Sequence, residues 1–270
     1  MGQLGFLPCN GAEIYYELAG AGETIVLLHG APLDSRMWRP QMEALSQKYQ
    51  VLRFDMRGMG QSLDPGIPFT LYEDLHSLLA QLGIESATFV GASFGCYAAV
   101  EYALAFPHQA NGLVLLCPGG FAPPSASYQQ RLQPFQEQFG MGNMKEAVEI
   151  ILHIVLDGPD QERGRVQPHR QWLKEIYADI YRKAQPATMP KWLEPDPRSR
   201  LAEISVPTQV VIGELDHSDF LKAADTLVQT IPGAEQIRLP QSAHLPSIDN
   251  PDAVNQIIVD FLSSHTCTDK

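Results

Sequence analysis

Gly91-Ala92-Ser93-Phe94-Gly95 stands between an apolar run, Ala87 to Val90, and a helix-like stretch from Cys96 to Phe106. The pattern G-x-S-x-G suits a strand that turns sharply into a helix, where small residues are needed because the backbone passes close to itself. Such a turn presents the Ser93 hydroxyl at the sheet edge, above a helix N-terminus whose free N–H groups hold an anion. Glycine and serine are common residues, so the five alone fit an ordinary βα turn equally well. The surrounding chain has to separate the two readings.

Working outward, continuous apolar runs alternate with helical patterns. Thr24 to Leu28, Val51 to Phe54, Ala87 to Val90, Gly112 to Leu116, Thr208 to Ile212 and Gln236 to Leu239 read as strands. Runs apolar at every position suit strands covered on both faces, as in a parallel sheet flanked by helices. Before them, Asn10-Gly11 is a hairpin signal, and Glu13 to Leu18 is rich in Ile and Tyr. Helical patterns cover Ser35 to Tyr49, Thr70 to Leu82, Phe220 to Thr230 and Asp252 to Ser263. Leu71, Leu75, Leu78, Leu79 and Leu82 lie on one helical stripe, and Thr70 with Glu73 forms a capping-box signature ahead of it. The expectation is an α/β fold: a mostly parallel, twisted sheet of about eight strands flanked by helices.

The alternation breaks between Pro118 and Pro207. Asn143 to Leu156 is an amphipathic helix with Val148, Ile151, Leu152, Val155 and Leu156 on one stripe, and Pro168 to Gln185 is another with Trp172, Ile176 and Ile180 in register. Proline and glycine crowd the entry at 118–124, and Pro186, Pro190, Pro195 and Pro197 mark the exit. Residues 119–200 are therefore expected to be a helical cap inserted after the sixth strand, with 1–118 and 201–270 forming the core. The same middle segment is close to neutral, at +1, while the flanking segments carry −13, for a net charge of −12.

A serine hydroxyl is a poor nucleophile until a base takes its proton, most often a histidine held in one tautomer by a carboxylate. Asp216 follows the strand Thr208 to Ile212, and His244 follows the strand Gln236 to Leu239. In open α/β sheets, ligands bind beyond the carboxyl ends of the strands, where Ser93, Asp216 and His244 would all fall. Glu214 and Asp219 compete with Asp216; Asp219 also suits the N-cap of the helix beginning at Phe220. His29, between an apolar strand and Gly30, reads as a buried histidine supporting its loop, and Asp55 and Arg57 read as structural. His217 reads as a solvated loop residue.

On these segments the chain resembles an α/β-hydrolase with a cap domain, over nearly its whole length. His29-Gly30-Ala31-Pro32 is similar to that family's oxyanion loop, Asp55-Met56-Arg57-Gly58-Met59-Gly60-Gln61-Ser62 to its D-x-R-G-x-G-x-S turn, and the order Ser, Asp, His to its triad. The resemblance implies a serine hydrolase with Ser93 as nucleophile, His244 as base and Asp216 as its orienting acid. The backbone N–H groups of Ala31 and Phe94 would hold the oxyanion. Relatives that open epoxides or remove halide carry Asp at the elbow, so Ser93 argues against both activities. The family's usual His or Asn before the serine is here the smaller Ala92.

The expected partner is a small ester or related carbonyl compound. Carbon–carbon hydrolysis of ring-cleavage products, lactone opening and perhydrolysis use the same triad, and a non-catalytic ligand-binding protein is a further alternative. Phe121, Phe135, Trp172, Tyr177, Tyr181 and Trp192 are aromatics in or beside the cap, most expected to pack it and one or two to line an apolar pocket. A carboxylate-bearing substrate would want a fixed cation, for which Arg131, Arg165 and Arg170 are candidates, although solvated helix faces suit them better. An acidic body repels nucleic acid and anionic membrane, so neither is an expected partner. No apolar run approaches the ~20 residues of a membrane span, and Met1 to Phe6 lacks a basic region followed by a long apolar stretch. Cys9, Cys96, Cys117 and Cys267 have no paired or metal-like spacing and fit free thiols in a cytoplasmic protein. With no H-E-x-x-H, cysteine cluster or dinucleotide fingerprint, no metal and no cofactor are expected.

Overall fold

A computed structural model describes residues 2–183 and 188–265. Cys267, Pro186 and the C-terminal end of the helix expected to reach Gln185 lie outside the described residues. The chain begins with a hairpin, β1 (Gln3–Cys9) and β2 (Ala12–Ala19), turned at Asn10 and Gly11, both at positive φ. Then β3 (Thr24–Leu28), α1 (Arg39–Leu45), β4 (Gln50–Phe54), α2 (Leu71–Gln81), β5 (Ala87–Ala92), α3 (Phe94–Ala105) and β6 (Ala110–Leu116) alternate. Three helices follow with no strand between them: α4 (Ala126–Gly140), α5 (Met144–Leu152) and α6 (Arg170–Lys183). The alternation resumes with β7 (Thr208–Gly213), α7 (Ser218–Thr230), β8 (Glu235–Leu239), a short α8 (Pro246–Asp249) and α9 (Pro251–His265).

The eight strands form one sheet in the order β1-β2-β4-β3-β5-β6-β7-β8. Only the β1–β2 and β2–β4 pairs are antiparallel. The central strands are apolar throughout because both faces are covered. Val26, Leu28, Phe89, Leu113 and Leu115 point into the layer holding α2, α3 and α7, while Ile25, Leu27, Val90, Val114 and Leu116 point into the layer holding α1 and α9. That second core continues into the cap through Val148, Ile151, Leu152, Val155, Leu173, Ile176 and Tyr177. The cap thus shares apolar packing with one face of the sheet.

Local detail departs from expectation in four places. The helix expected over 35–49 opens as a 3₁₀ turn, Ser35–Trp38, and α1 ends at Leu45. The helix expected over 143–156 is α up to Leu152 and then a π-helical turn, His153–Asp157. Helix α7 begins at Ser218 with the His217 ring accepting the Asp219 N–H, so His217 and not Asp219 is the cap residue. Helix α4 has no counterpart in the sequence reading. Ser125 caps it by accepting the Tyr128 N–H, and Tyr128, Leu132 and Phe135 pack inward from it.

Candidate active site

Two glycines show why the elbow has its sequence. A side chain at Gly91 would meet the Gly95 carbonyl oxygen at 2.5 Å, and one at Gly95 would meet the Leu28 carbonyl oxygen at 2.1 Å. Between them Ser93 adopts φ 52°, ψ −114°, a region costing a non-glycine residue on the order of 1–3 kcal/mol. Neighbouring backbone holds it there. The Ser93 N–H donates to Leu116 O at 2.9 Å, and the Ser93 carbonyl accepts from Cys96 N at 3.0 Å and Gly119 N at 3.1 Å.

The hydroxyl meets an imidazole brought from the end of β8, which in turn meets a carboxylate brought from the end of β7. His244 Nε2 lies 2.9 Å from Ser93 Oγ, and His244 Nδ1 lies 2.6 Å from Asp216 Oδ2. An ionised carboxylate only accepts, so Nδ1 carries the ring proton and the Nε2 lone pair faces the serine. The second Asp216 oxygen accepts the His217 N–H at 2.7 Å, leaving the carboxylate held at both ends. Phe220 packs on the imidazole at 4.0 Å between centroids, and Asp249 Oδ2 anchors the histidine loop by accepting the Ala243 N–H at 3.0 Å. Of the competing acids, Asp219 instead accepts the Ser125 N–H at 2.8 Å.

The third neighbour of this pair was not anticipated. Cys117 Sγ, an Asp216 oxygen and a His244 nitrogen all lie within 4.8 Å of one another. A metal would need the thiolate, but burial and then the Asp216 charge push the Cys117 thiol well above its ordinary value. Its sulfur packs against Ala243 O and Gly213 N, while Asp216 and His244 bond each other. This donor set therefore fits a triad beside a packed thiol better than a metal centre.

His29 supports its loop as expected. It is fully buried, its Nε2 accepts the Met56 N–H at 3.0 Å, and Nδ1 faces Gly30 O at 3.3 Å. Burial pulls its pKa down, against the pull of Asp55 and Asp34, so the ring is neutral. A side chain at Gly30 would lie 3.2 Å from Ser93 Cβ, which sets how closely this loop passes the hydroxyl; the Ala31–Pro32 peptide is cis. Among the described residues no protein acceptor takes the Ala31 or Phe94 N–H. Asp55 accepts the Ser35 and Gln61 N–H groups, and Arg57 pairs with buried Asp74. Both are structural, as their positions suggested.

Ser93 and His244 open on a cavity of about 420 Å³ between sheet and cap. Tyr128, Leu132, Phe135 and Phe139 of α4, Ile151 of α5, Tyr177 and Tyr181 of α6, and Phe220 line it. Of the aromatics singled out from sequence, Phe135, Tyr177 and Tyr181 line the cavity. Phe121 and Trp192 pack on Tyr97, and Trp172 packs beside His169. Tyr128, Leu132 and Phe139 were missed because α4 was missed; the 128, 132, 135, 139 spacing after Ser125 is the signal that carries them.

No Lys, Arg, Asp or Glu is among the described lining residues. The three cap arginines are committed elsewhere. Arg131 bonds Pro159 O and Asp160, and Arg165 bonds Asp157 O and Gln241 O. Arg170, expected on a solvated face, is buried against Asp157 and Glu149. His217, also expected to be solvated, is 5% exposed beneath α4, with Ser127 Oγ 3.3 Å from its Nε2.

This fold and this hydrogen-bonded chain define an α/β-hydrolase-type enzyme with a helical cap. The Alpha/beta hydrolase family model matches residues 25–257, and the chain belongs to that family. It is 26% identical to the pimeloyl-[acyl-carrier protein] methyl ester esterase of Pectobacterium atrosepticum, over 93% of this chain and 98% of that one. It is 28% identical to the 2-hydroxy-6-oxononadienedioate/2-hydroxy-6-oxononatrienedioate hydrolase of Paraburkholderia phymatum, over 93% and 91%. The enol-lactonase of Burkholderia xenovorans superposes with a TM-score of 0.76 at 27% identity, covering 96% of this chain and all of that one. Among the described residues no helix is long and apolar enough to cross a membrane.

Proposed function

We propose that the protein is a serine esterase acting on small, uncharged esters through an acyl-enzyme. In this reading His244 Nε2 takes the Ser93 proton as the oxygen attacks the ester carbonyl. The imidazolium that forms is stabilised by Asp216, and the N–H groups of Ala31 and Phe94 receive the oxyanion. His244 then protonates the leaving alcohol, and a water activated by the same nitrogen releases the acid. General-base assistance of this kind is worth roughly 10²–10⁴ in rate, and one oxyanion donor roughly 10²–10³. The observation that carries the reading is the unbroken chain Ser93–His244–Asp216, at 2.9 and 2.6 Å, opening on an apolar cavity. Residues 119–200 serve as the cap and 1–118 with 201–270 as the core.

The uncharged substrate follows from the lining. An ionised group moved into that cavity would lose its water with no counter-charge to replace it. A dicarboxylate, as named for the Paraburkholderia relative, is thereby disfavoured. A neutral lactone is the second reading, supported by the likeness to the enol-lactonase. Cys9, Cys96 and Cys117 are free and buried, which supports placing the protein in a reducing compartment such as the cytoplasm.

A fluorophosphonate serine probe, with p-nitrophenyl esters of increasing acyl length and a set of lactones, tests the proposal. Labelling confined to Ser93, and hydrolysis lost in folded Ser93→Ala, are the expected results. Hydrolysis undiminished in Ser93→Ala would remove the mechanism.

A further inference from the structure

We propose that Tyr128, Tyr177 and Tyr181 form a neutral polar subsite on the cap side of the cavity, which takes an uncharged hydrogen-bond acceptor of the substrate such as a keto or ether oxygen. The inference rests on the reading of the Ser93 cavity as an ester site and names a feature its substrate carries.

All three tyrosines line the cavity, and Tyr177 is only 2% exposed. A buried tyrosine hydroxyl ordinarily finds a hydrogen-bond partner, as that of Tyr102 does at 2.5 Å from Gln109 Oε1. Among the described residues the hydroxyls of Tyr128, Tyr177 and Tyr181 have none. They occupy one region, with the Tyr177 and Tyr181 rings 5.7 Å apart and the charged forms of Tyr128 and Tyr181 both disfavouring ionisation of Tyr177. Burial pushes Tyr128 up to about 12 and Tyr177 and Tyr181 further up, so each hydroxyl keeps its proton and remains a donor.

Leu132, Phe135 and Phe139 add apolar surface to the same cavity lining. A purely hydrocarbon acyl chain packed against these hydroxyls would leave them unpaired. An oxygen at the right depth in the substrate restores the bond. A carboxylate in the same place would lack a counter-charge, which limits the acceptor to a neutral one.

Binding measured by calorimetry in Ser93→Ala separates this inference from the mechanism, because the variant is read without turnover. The ligands are methyl hexanoate and its 4-oxo and 5-oxo analogues. The better oxo ester is expected to bind about five- to tenfold more tightly than the plain one, and Tyr177→Phe and Tyr181→Phe each to abolish most of that ratio. A ratio near one, a ratio that survives both substitutions, or no binding of any of the three would overturn the subsite. Turnover of the same esters by the parent protein reads Ser93 independently, so an inert protein that still shows the ratio would refute the mechanism alone.

Discussion

Glu101 gives the sharpest test of how the cap is tied to the nucleophile's helix. It lies on α3, fully buried. Its Oε1 accepts the Leu193 N–H at 2.8 Å, from the segment that leads out of the cap, while Oε2 is buried with no partner among the described residues. Burial is the dominant cause that raises the carboxyl from 4.5 to about 7; the Leu193 bond opposes it and Asp196 adds to it. The folded pKa is raised, so the folded chain holds the proton more firmly than the unfolded one. The stability this contributes is fully present below about pH 4.5 and is lost as pH rises through about 7. At 1.36 kcal/mol per pKa unit the loss is about 3 kcal/mol.

Glu101→Gln has the same shape and no titration. Its amide leaves an N–H group where Oε2 stood, which shifts its absolute stability by an amount that does not change with pH. Other titrating groups, Asp249 among them, are common to both proteins and cancel in the difference. Thermal unfolding from pH 5 to pH 8.5 should therefore show the variant gaining on the parent by about 2.5 kcal/mol, or about 4 °C for a chain of this length. A difference between the two proteins that stays constant across that range would refute the argument that Glu101 is desolvated where it meets Leu193.

Three further outcomes follow from the site and the cap. Asp216→Asn keeps the geometry but favours the wrong imidazole tautomer, and kcat should fall by about 10⁴ with the unfolding curve little changed. Gly119→Ala would place a methyl group 2.9 Å from Ser93 Oγ; kcat/KM for p-nitrophenyl esters should fall at least about tenfold while circular dichroism is unchanged. Arg170→Met would strand the Asp157 carboxylate, which is fully buried, makes two 2.9 Å contacts with Arg170 Nη1 and accepts the Gly164 and Val166 N–H groups. A loss of about 3–5 kcal/mol is expected, read by urea unfolding and by proteolysis within the cap.

The sheet was legible because its constraint is local and repeated. Strands covered on both faces are apolar at every position, and α2, α7 and α9 show stripes of their own. The elbow was legible for a second local reason: Gly91 and Gly95 admit no side chain, so the pattern around Ser93 carries its own geometry. Asp216 and His244 were reached by placing them at strand ends, and their pairing across 28 residues needed only the sheet order to be right.

What escaped lies in the cap or directly beneath it. Helix α4 has no fully buried residue, carries Pro134 inside it and is rich in glutamine, so its stripe is faint until the cavity below gives it a purpose. Missing α4 led directly to the misreading of His217 as solvated, because Tyr128 and Ser127 are what cover it. Arg170 looked like a helix-face cation because its partner Asp157 sits in a π-helical turn that periodicity does not foresee. The cap supplies half of the described cavity lining, through Tyr128, Leu132, Phe135, Phe139, Ile151, Val155, Tyr177 and Tyr181. Substrate choice in this fold is written in contacts of that kind, whereas the machinery of the reaction is written in short motifs at strand ends. That division explains why the class of chemistry could be read from the chain while the shape of the pocket could not.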